Sequence, residues 1–474
     1  MVQKKSVTRH RRLAQPTGTI QRTISLLYAS LRALGAELPL AELERVAVMV
    51  NEAMSSGGRS FHTPEHVFDL VRPGRPHGNL AALFHDLVYR QVDAGYVPEV
   101  SRLISPSIEP ADGGLRVREA AGQDRPLDLT LAVFGFSRGQ ILPPFAGMNE
   151  FLSALVMNRT FTGIVKDADL ARASACIEAT IPFRGPLPDG TTPAQELERR
   201  LQSASAAMGL GVGGAHAREA VRRAVAFANG DVANFADREV TRFLDNTWKL
   251  LPETNPSLRV QGVYSVRSYR VALQKMHGFL LTLDPATIFA RHDGVPSDAE
   301  YRQKLARAER NVTTARSYLG IKLLTAAVLE ALADISGGDA PVSLFMGDIG
   351  LRAPGSKLED YLPSRRPSRS VRLDPTLHDL LAHGRASASS FDLQNSPLSL
   401  FLYLHLGMDG FRDLLAAAHG LFDSKVQPRA FLDLLPRELV VPIARGCARM
   451  AFTRRPALEA YGSARSARVR GPSR

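Results

Sequence analysis

Cysteine is nearly missing from this chain: Cys176 and Cys447 are the only two in 474 residues, far apart and each in apolar surroundings. That count excludes a disulfide framework, and without Cys-x-x-Cys spacing it also excludes a zinc ribbon or a dithiol redox pair. Two reduced, buried thiols point instead to a cytoplasmic protein. Long apolar runs are missing as well, so no membrane-spanning helix is expected. The nearest approach, 401–421, is interrupted by Asp409, Arg412 and Asp413 and reads as a pair of core helices. The single tryptophan, Trp248, suits a core anchor better than a base-stacking platform.

Positive charge is in excess, at +12, but it is unevenly placed. Residues 1–13 carry five Lys or Arg and no acid, and residues 453–474 carry six Arg against Glu459, so the tails hold ten of the twelve excess charges. Nucleic acid or anionic lipid is therefore a partner only through basic, flexible tails, 1–18 and 453–474. The first acid is Glu37, which also gives the N-terminus a leader-like composition, but the apolar period starting at Ile20 reads as the first helix of the fold.

Apolar spacing of three and four recurs over 20–34, 38–54, 79–89, 150–156, 168–180, 195–208 and 216–236, and again over 266–283, 299–336, 398–421 and 431–452. The class is mainly α. Breaks rich in Pro and Gly fall at 72–78, 98–147 and 184–193, with a polar boundary at 252–256 and an Arg/Ser/Pro-rich loop at 351–370. The expected organisation is a helical domain over 19–262, with an insertion at 98–147, and a second helical region over 263–452. Within the insertion, the alternation Leu127, Leu129, Leu131, Val133 predicts a short strand in a segment packed over the site as a lid.

The chemistry is concentrated in Phe61-His62-Thr63-Pro64-Glu65-His66 and Phe84-His85-Asp86-Leu87-Val88-Tyr89. Thr63 followed by Pro64 predicts a helix start, which places His66 in the first turn, neutral and able to bind a metal, and leaves His62 just outside it as a proton donor. Asn79 is expected to cap an all-apolar, buried helix carrying His85 and Asp86. Neighbours on a helix point about 100° apart, so both reach one ion only if it sits over the edge between them. The alternative is a core histidine hydrogen-bonded to its neighbour's carboxylate.

Taken together, Arg59 to Val67, Leu83 to Tyr89 and Asn149-Glu150-Phe151-Leu152-Ser153-Ala154 resemble the HD-domain metal-dependent phosphohydrolase superfamily, in particular a bacterial branch. Ile177-Glu178-Ala179-Thr180 is similar to the helix that follows in that branch. The resemblance covers roughly residues 45–245. It implies an HD-type helical bundle in which His66, His85 and Asp86 hold a divalent metal, Mn, Fe, Co, Ni, Zn or Mg, as one or two ions. It further implies His62 as general acid and Glu150 as a residue orienting water or a ligand. Cyclic-nucleotide phosphodiesterases share the aromatic-His segment, but carry Asn where this chain has Thr63.

The superfamily also needs a distant aspartate. Asp231, flanking the stripe of 221, 225, 228, 232 and 235, is the first choice, ahead of Asp237, Asp169 and Asp167; the competing reading makes Asp231 a cap of a helix kinked at Gly230. The implied activity is hydrolysis of phosphomonoesters or phosphodiesters, nucleotides among them, with a phosphorylated small molecule as partner. The alternative is a non-catalytic helical sensor or scaffold. Nothing in 263–452 resembles a family, and the sequence carries no signal of oligomeric state.

Overall fold

The computed structural model describes residues 18–119, 122–260, 262–347, 353–364, 371–389 and 391–467. The basic segment 1–17, the end 468–474 and, in the loop region, 348–352 and 365–370 lie outside the described residues. The fold is mainly α, and the chain divides into two compact units. The first comprises Met1–Gly57, His62–Ile181 and Thr191–Ala228; the second comprises Gly58–Phe61, Pro182–Gly190 and Asn229–Arg474. This division falls after Ala228, upstream of the boundary expected near residue 262, because Phe243, Leu244 and Trp248 join the second core.

The first unit opens with α1 (Thr19–Ala33), α2 (Leu40–Met54), α3 (Pro64–Leu70) and α4 (Pro76–Phe84). Then come α5 (Pro98–Ile104), the hairpin β1 (Ile108–Ala111) and β2 (Gly114–Val117), α6 (Arg125–Phe134) and β3 (Ile141–Leu142). It closes with α7 (Met148–Phe161), α8 (Asp167–Ala179), α9 (Pro193–Met208) and α10 (Ala215–Asp231). The strands form one antiparallel sheet in the order β1-β2-β3, with Ile108 opposite Val117 and Leu115 opposite Leu142.

The strand expected at 127–133 is instead α6. The Asp124 carboxylate accepts the Leu127 amide at 3.2 Å to start it, and Gly135 ends it in the left-handed region. Leu127, Leu129, Leu131 and Val133 are all buried, and little beyond the stripe of Arg125, Asp128 and Ala132 is open, so a helix buried around most of its circumference reproduces a strand's alternation. Nor is the 98–147 insertion a lid: α6 packs against α7, α8 and α9 in the core of its unit. Inside that core Asn158 Nδ2 donates to Thr130 Oγ1 at 2.9 Å, and Ser174 Oγ donates to Asn158 Oδ1 at 3.1 Å, tying the three helices with satisfied polar groups. Glu178, in the motif expected for α8, is wholly buried and paired with Arg200 of α9.

The second unit contains α11 (Val240–Thr254), α12 (Val266–Thr282), α13 (Asp298–Ile335), α14 (Val342–Met346), α15 (Pro375–His383), α16 (Pro397–Phe422), α17 (Pro428–Leu434), α18 (Arg437–Met450) and α19 (Arg455–Ala467). Its axis is α13, 38 residues long. Ser297 and Glu300 start that helix with a capping box, and its 318–333 stretch is buried on all sides beneath α12, α15, α16 and α17. The expected helix pair at 401–421 is present, joined at Gly407, where the backbone leaves helical geometry at φ 57°. The tail expected to be flexible from 453 folds as α19 over most of its length, because Leu458 and Tyr461 are buried against the core. Both cysteines are buried and free, and burial pushes each thiol up to about 12. No helix among the described residues is long and apolar enough to cross a membrane.

Candidate metal centre

The site is assembled on α3, α4 and α10. Pro64 sets the first position of α3, with Thr63 preceding it in extended geometry, although the Thr63 side chain makes no capping bond. His66 is thereby placed in the first turn. α4 starts at Pro76, not at Asn79: the Asn79 side chain bonds back to the preceding loop, accepting from Arg72 N at 2.9 Å and donating to Arg72 O at 3.0 Å. Its residues 80–84 are all buried, which accounts for a helix apolar around its whole circumference.

Helix α4 ends at Phe84, five residues earlier than expected, so His85 is its C-cap and Asp86 lies in the following turn. That ending resolves the angular problem of two adjacent ligands. Leaving the helix, the chain turns the Asp86 carboxylate back beside the His85 ring, Oδ2 to Nε2 at 2.9 Å, and to within 3.8 Å of His66 Nε2. The turn is held by α7: Val88 N donates to Ser153 Oγ at 3.0 Å and Arg90 N to Asn149 Oδ1 at 3.2 Å. Two positions of the Asn149 to Ala154 motif therefore position the loop carrying Asp86. Glu150, expected to orient a ligand, is half-buried in the first turn of α7, outside the set of converging ligand atoms.

One ligand atom from each of His66, His85 and Asp231 lies within 4.8 Å of the others. Asp231 is the last residue of α10, one unbroken helix whose final turn the division between units crosses. Phe227, one turn earlier on the same face, meets the His85 ring edge-on at 5.9 Å between centroids. The competing aspartates are engaged elsewhere: Asp169 with His77 at 2.9 Å and Arg172 at 2.7 Å, Asp167 with Arg125, and Asp237 with the Glu239 amide at 2.9 Å.

The donor set suits a divalent cation. His85 Nδ1 stands 3.0 Å from the Ala82 carbonyl, in position to donate a proton to it, so Nε2 keeps the lone pair and faces the Asp86 carboxylate. Two lone pairs at 2.9 Å repel unless positive charge sits beside them, which a metal ion or a second ring proton supplies. Mixed imidazole and carboxylate donors match Mn, Fe, Co, Ni or Zn. With the second ring proton on His85, burial would raise the Asp86 carboxyl, but the charges of His85 and His62, the His85 hydrogen bond and His66 outweigh it and hold the group well below the usual carboxylate range. His62 stands 6.0 Å from the His66 ring and packs edge-on against Tyr89 at 4.9 Å.

Tyr89 and Phe227 were not singled out from sequence as site residues. Tyr89 closes the F-H-D-x-x-Y motif and Phe227 precedes Asp231 by four, so both carried a signal; the Ala82 carbonyl carried none. No family model, curated protein or solved structure matches the chain.

Proposed function

We propose that the chain is a metal-dependent phosphohydrolase of HD type, acting on phosphomonoesters or phosphodiesters, with nucleotides among the candidate substrates. The convergence of His66, His85 and Asp231 within 4.8 Å, with Asp86 beside both imidazoles, carries this reading. It brings together residues 165 positions apart in sequence, which a histidine merely satisfied by its neighbour would not require.

His66 and His85 would hold a divalent ion by ring nitrogen, and Asp86 and Asp231 by carboxylate oxygen. When bound, such an ion makes water acidic enough to attack near neutral pH and polarises the phosphoryl oxygen. The chain's own contribution is positional. The Ala82 carbonyl orients the His85 ring, Ser153 and Asn149 hold the turn bearing Asp86, and Phe227 packs edge-on against the imidazole. His62 lies one ring away from the ligands, is oriented by Tyr89, and in this reading carries the proton that neutralises the leaving alkoxide oxygen.

Elemental analysis of the purified full chain, alone and after loading with Mn, Co, Ni and Zn, tests the reading, together with turnover of p-nitrophenyl phosphate, bis-p-nitrophenyl phosphate and a nucleotide panel. The expected result is about one or two equivalents of metal, lost in folded His85→Ala and Asp231→Ala, and metal-dependent release of phosphate or nitrophenol. A folded parent that stays metal-free after loading refutes it.

A further inference from the structure

Asp231, the carboxylate that meets His66 and His85, sits where a helix by itself holds a side chain poorly. It is the last residue of α10, at the end whose final carbonyls have no intrahelical partner, and Gly230 just before it adds backbone freedom. A carboxylate there also faces the negative pole of the helix dipole. Groups outside the helix have to fix this turn if Asp231 is to keep one position.

Residues from Asn229 onward belong to the second unit, and that unit fixes the turn on both sides of Asp231. Two residues upstream, Asn229 is 5% exposed, and both ends of its amide are taken by one backbone position. Nδ2 donates to the Ala290 carbonyl at 2.8 Å, and the Ala290 amide donates to Oδ1 at 2.9 Å. Ala290 is itself anchored, since Ile288 and Phe289 before it are buried in the second core, and His292 and Val295 after it exchange two backbone hydrogen bonds at 2.9 Å.

Downstream, the chain turns through Ala233–Ala236 against α13. There Asn311, wholly buried along α13, donates from Nδ2 to the Phe235 carbonyl at 3.0 Å and to the Asp237 carbonyl at 2.9 Å. Its Oδ1 accepts from Arg310 Nη2 at 3.0 Å, and the same guanidinium donates to the Arg238 carbonyl at 2.9 Å. Asparagine is a poor helix former and costly to bury, so these bonds account for its place in α13.

On the basis of the proposed function, which makes Asp231 a ligand, we infer that Asn229 and Asn311 are positioning residues that hold the Asp231 carboxylate for the ion, so that metal affinity at the histidine cluster is set in part from the second unit. Neither is a ligand. Each acts through the backbone flanking Asp231, and by linkage a bound ion stabilises that same segment.

Equilibrium dialysis of the full chain against Co²⁺, with the visible spectrum of the bound ion, tests this in the parent, Asn229→Ala, Asn311→Ala and Gly407→Ala. A Cβ at Gly407 would meet Val371 and Arg372 rather than this segment, so that variant is the control for lost stability alone. The Co²⁺ Kd is expected to rise roughly 10–100-fold in both asparagine variants, with altered bands that report a changed ligand shell, while Gly407→Ala keeps the parent's affinity and spectrum. Should either alanine variant fail to fold by circular dichroism, Asn229→Asp and Asn311→Asp, which keep the size of the side chain and lose its N–H donors, supply the comparison. Parental affinity and spectrum in both folded asparagine variants, or an equal weakening in Gly407→Ala, would overturn the inference and leave the proposed function standing. A parent that binds no Co²⁺ overturns both.

Discussion

At the scale of single residues, the proposed function separates side chains that would hold the ion from those that would act on substrate. His62 stands off the ligand cluster and meets Tyr89, so replacing it should leave binding of the ion intact. In His62→Gln, kcat on the best phosphoester is expected to fall by about 10²–10⁴, with metal content unchanged by elemental analysis. Loss of metal together with activity would make His62 a ligand instead. Ser153 acts differently, through the backbone: its hydroxyl takes the buried Val88 amide. Ser153→Ala strands that donor and should cost about 1–3 kcal/mol in a urea titration. If the turn it braces positions Asp86, metal affinity should drop roughly 10–100-fold as well. His62, His66, His85 and Asp86 were legible as a group because they lie within one stretch of 25 residues. The Ala82 carbonyl was not, because every residue has one and only the end of α4 aims this one at His85.

At the scale of elements, most helices follow their apolar spacing, and the exceptions have local causes. The long segment expected over 431–452 breaks into α17 and α18 because Pro436 precedes the second helix. Gly407 joins the two parts of α16 at φ 57° and ψ −166°, a region open to glycine alone, and a Cβ there would sit 2.5 Å from Val371 Cγ1 and 2.9 Å from the Arg372 carbonyl. Gly407→Ala should therefore destabilise the chain by at least about 1–3 kcal/mol in denaturant titration; a neutral result would mean that the joint relaxes to a continuous helix. Helix α6 was misread because alternation distinguishes strand from helix only when the wet face is broad, and here little beyond the stripe of Arg125, Asp128 and Ala132 is open. Its cap was nevertheless in the sequence, since Asp124 precedes Pro126 at the helix start.

At the scale of the whole molecule, stability should depend on pH through buried histidines. Burial, followed by the charges of His419 and Arg316, lowers His277, and burial likewise lowers His77 despite its bond to Asp169. A histidine with a depressed folded pKa contributes stability that is complete above its unfolded value of about 6.5 and is lost as pH falls through the folded value. Thermal midpoints should therefore decline as pH drops below about 6.5, and His277→Gln should flatten that decline relative to its own value at neutral pH; an unchanged slope would exclude His277 as a contributor. The sequence alone determined the mainly α class, the location of most helices though not their ends, the burial of both cysteines and the local His62-to-Asp86 grouping. Each of these depends on composition or on residues a few turns apart, where periodicity and backbone geometry leave little choice. Tertiary structure decided which distant carboxylate meets those histidines, that the 98–147 segment belongs to a core, where the chain divides into units, and that Asn229 and Asn311 brace the segment carrying that carboxylate. Those outcomes depend on packing between elements far apart in sequence, and the energy that selects them is a sum over contacts that no local pattern records.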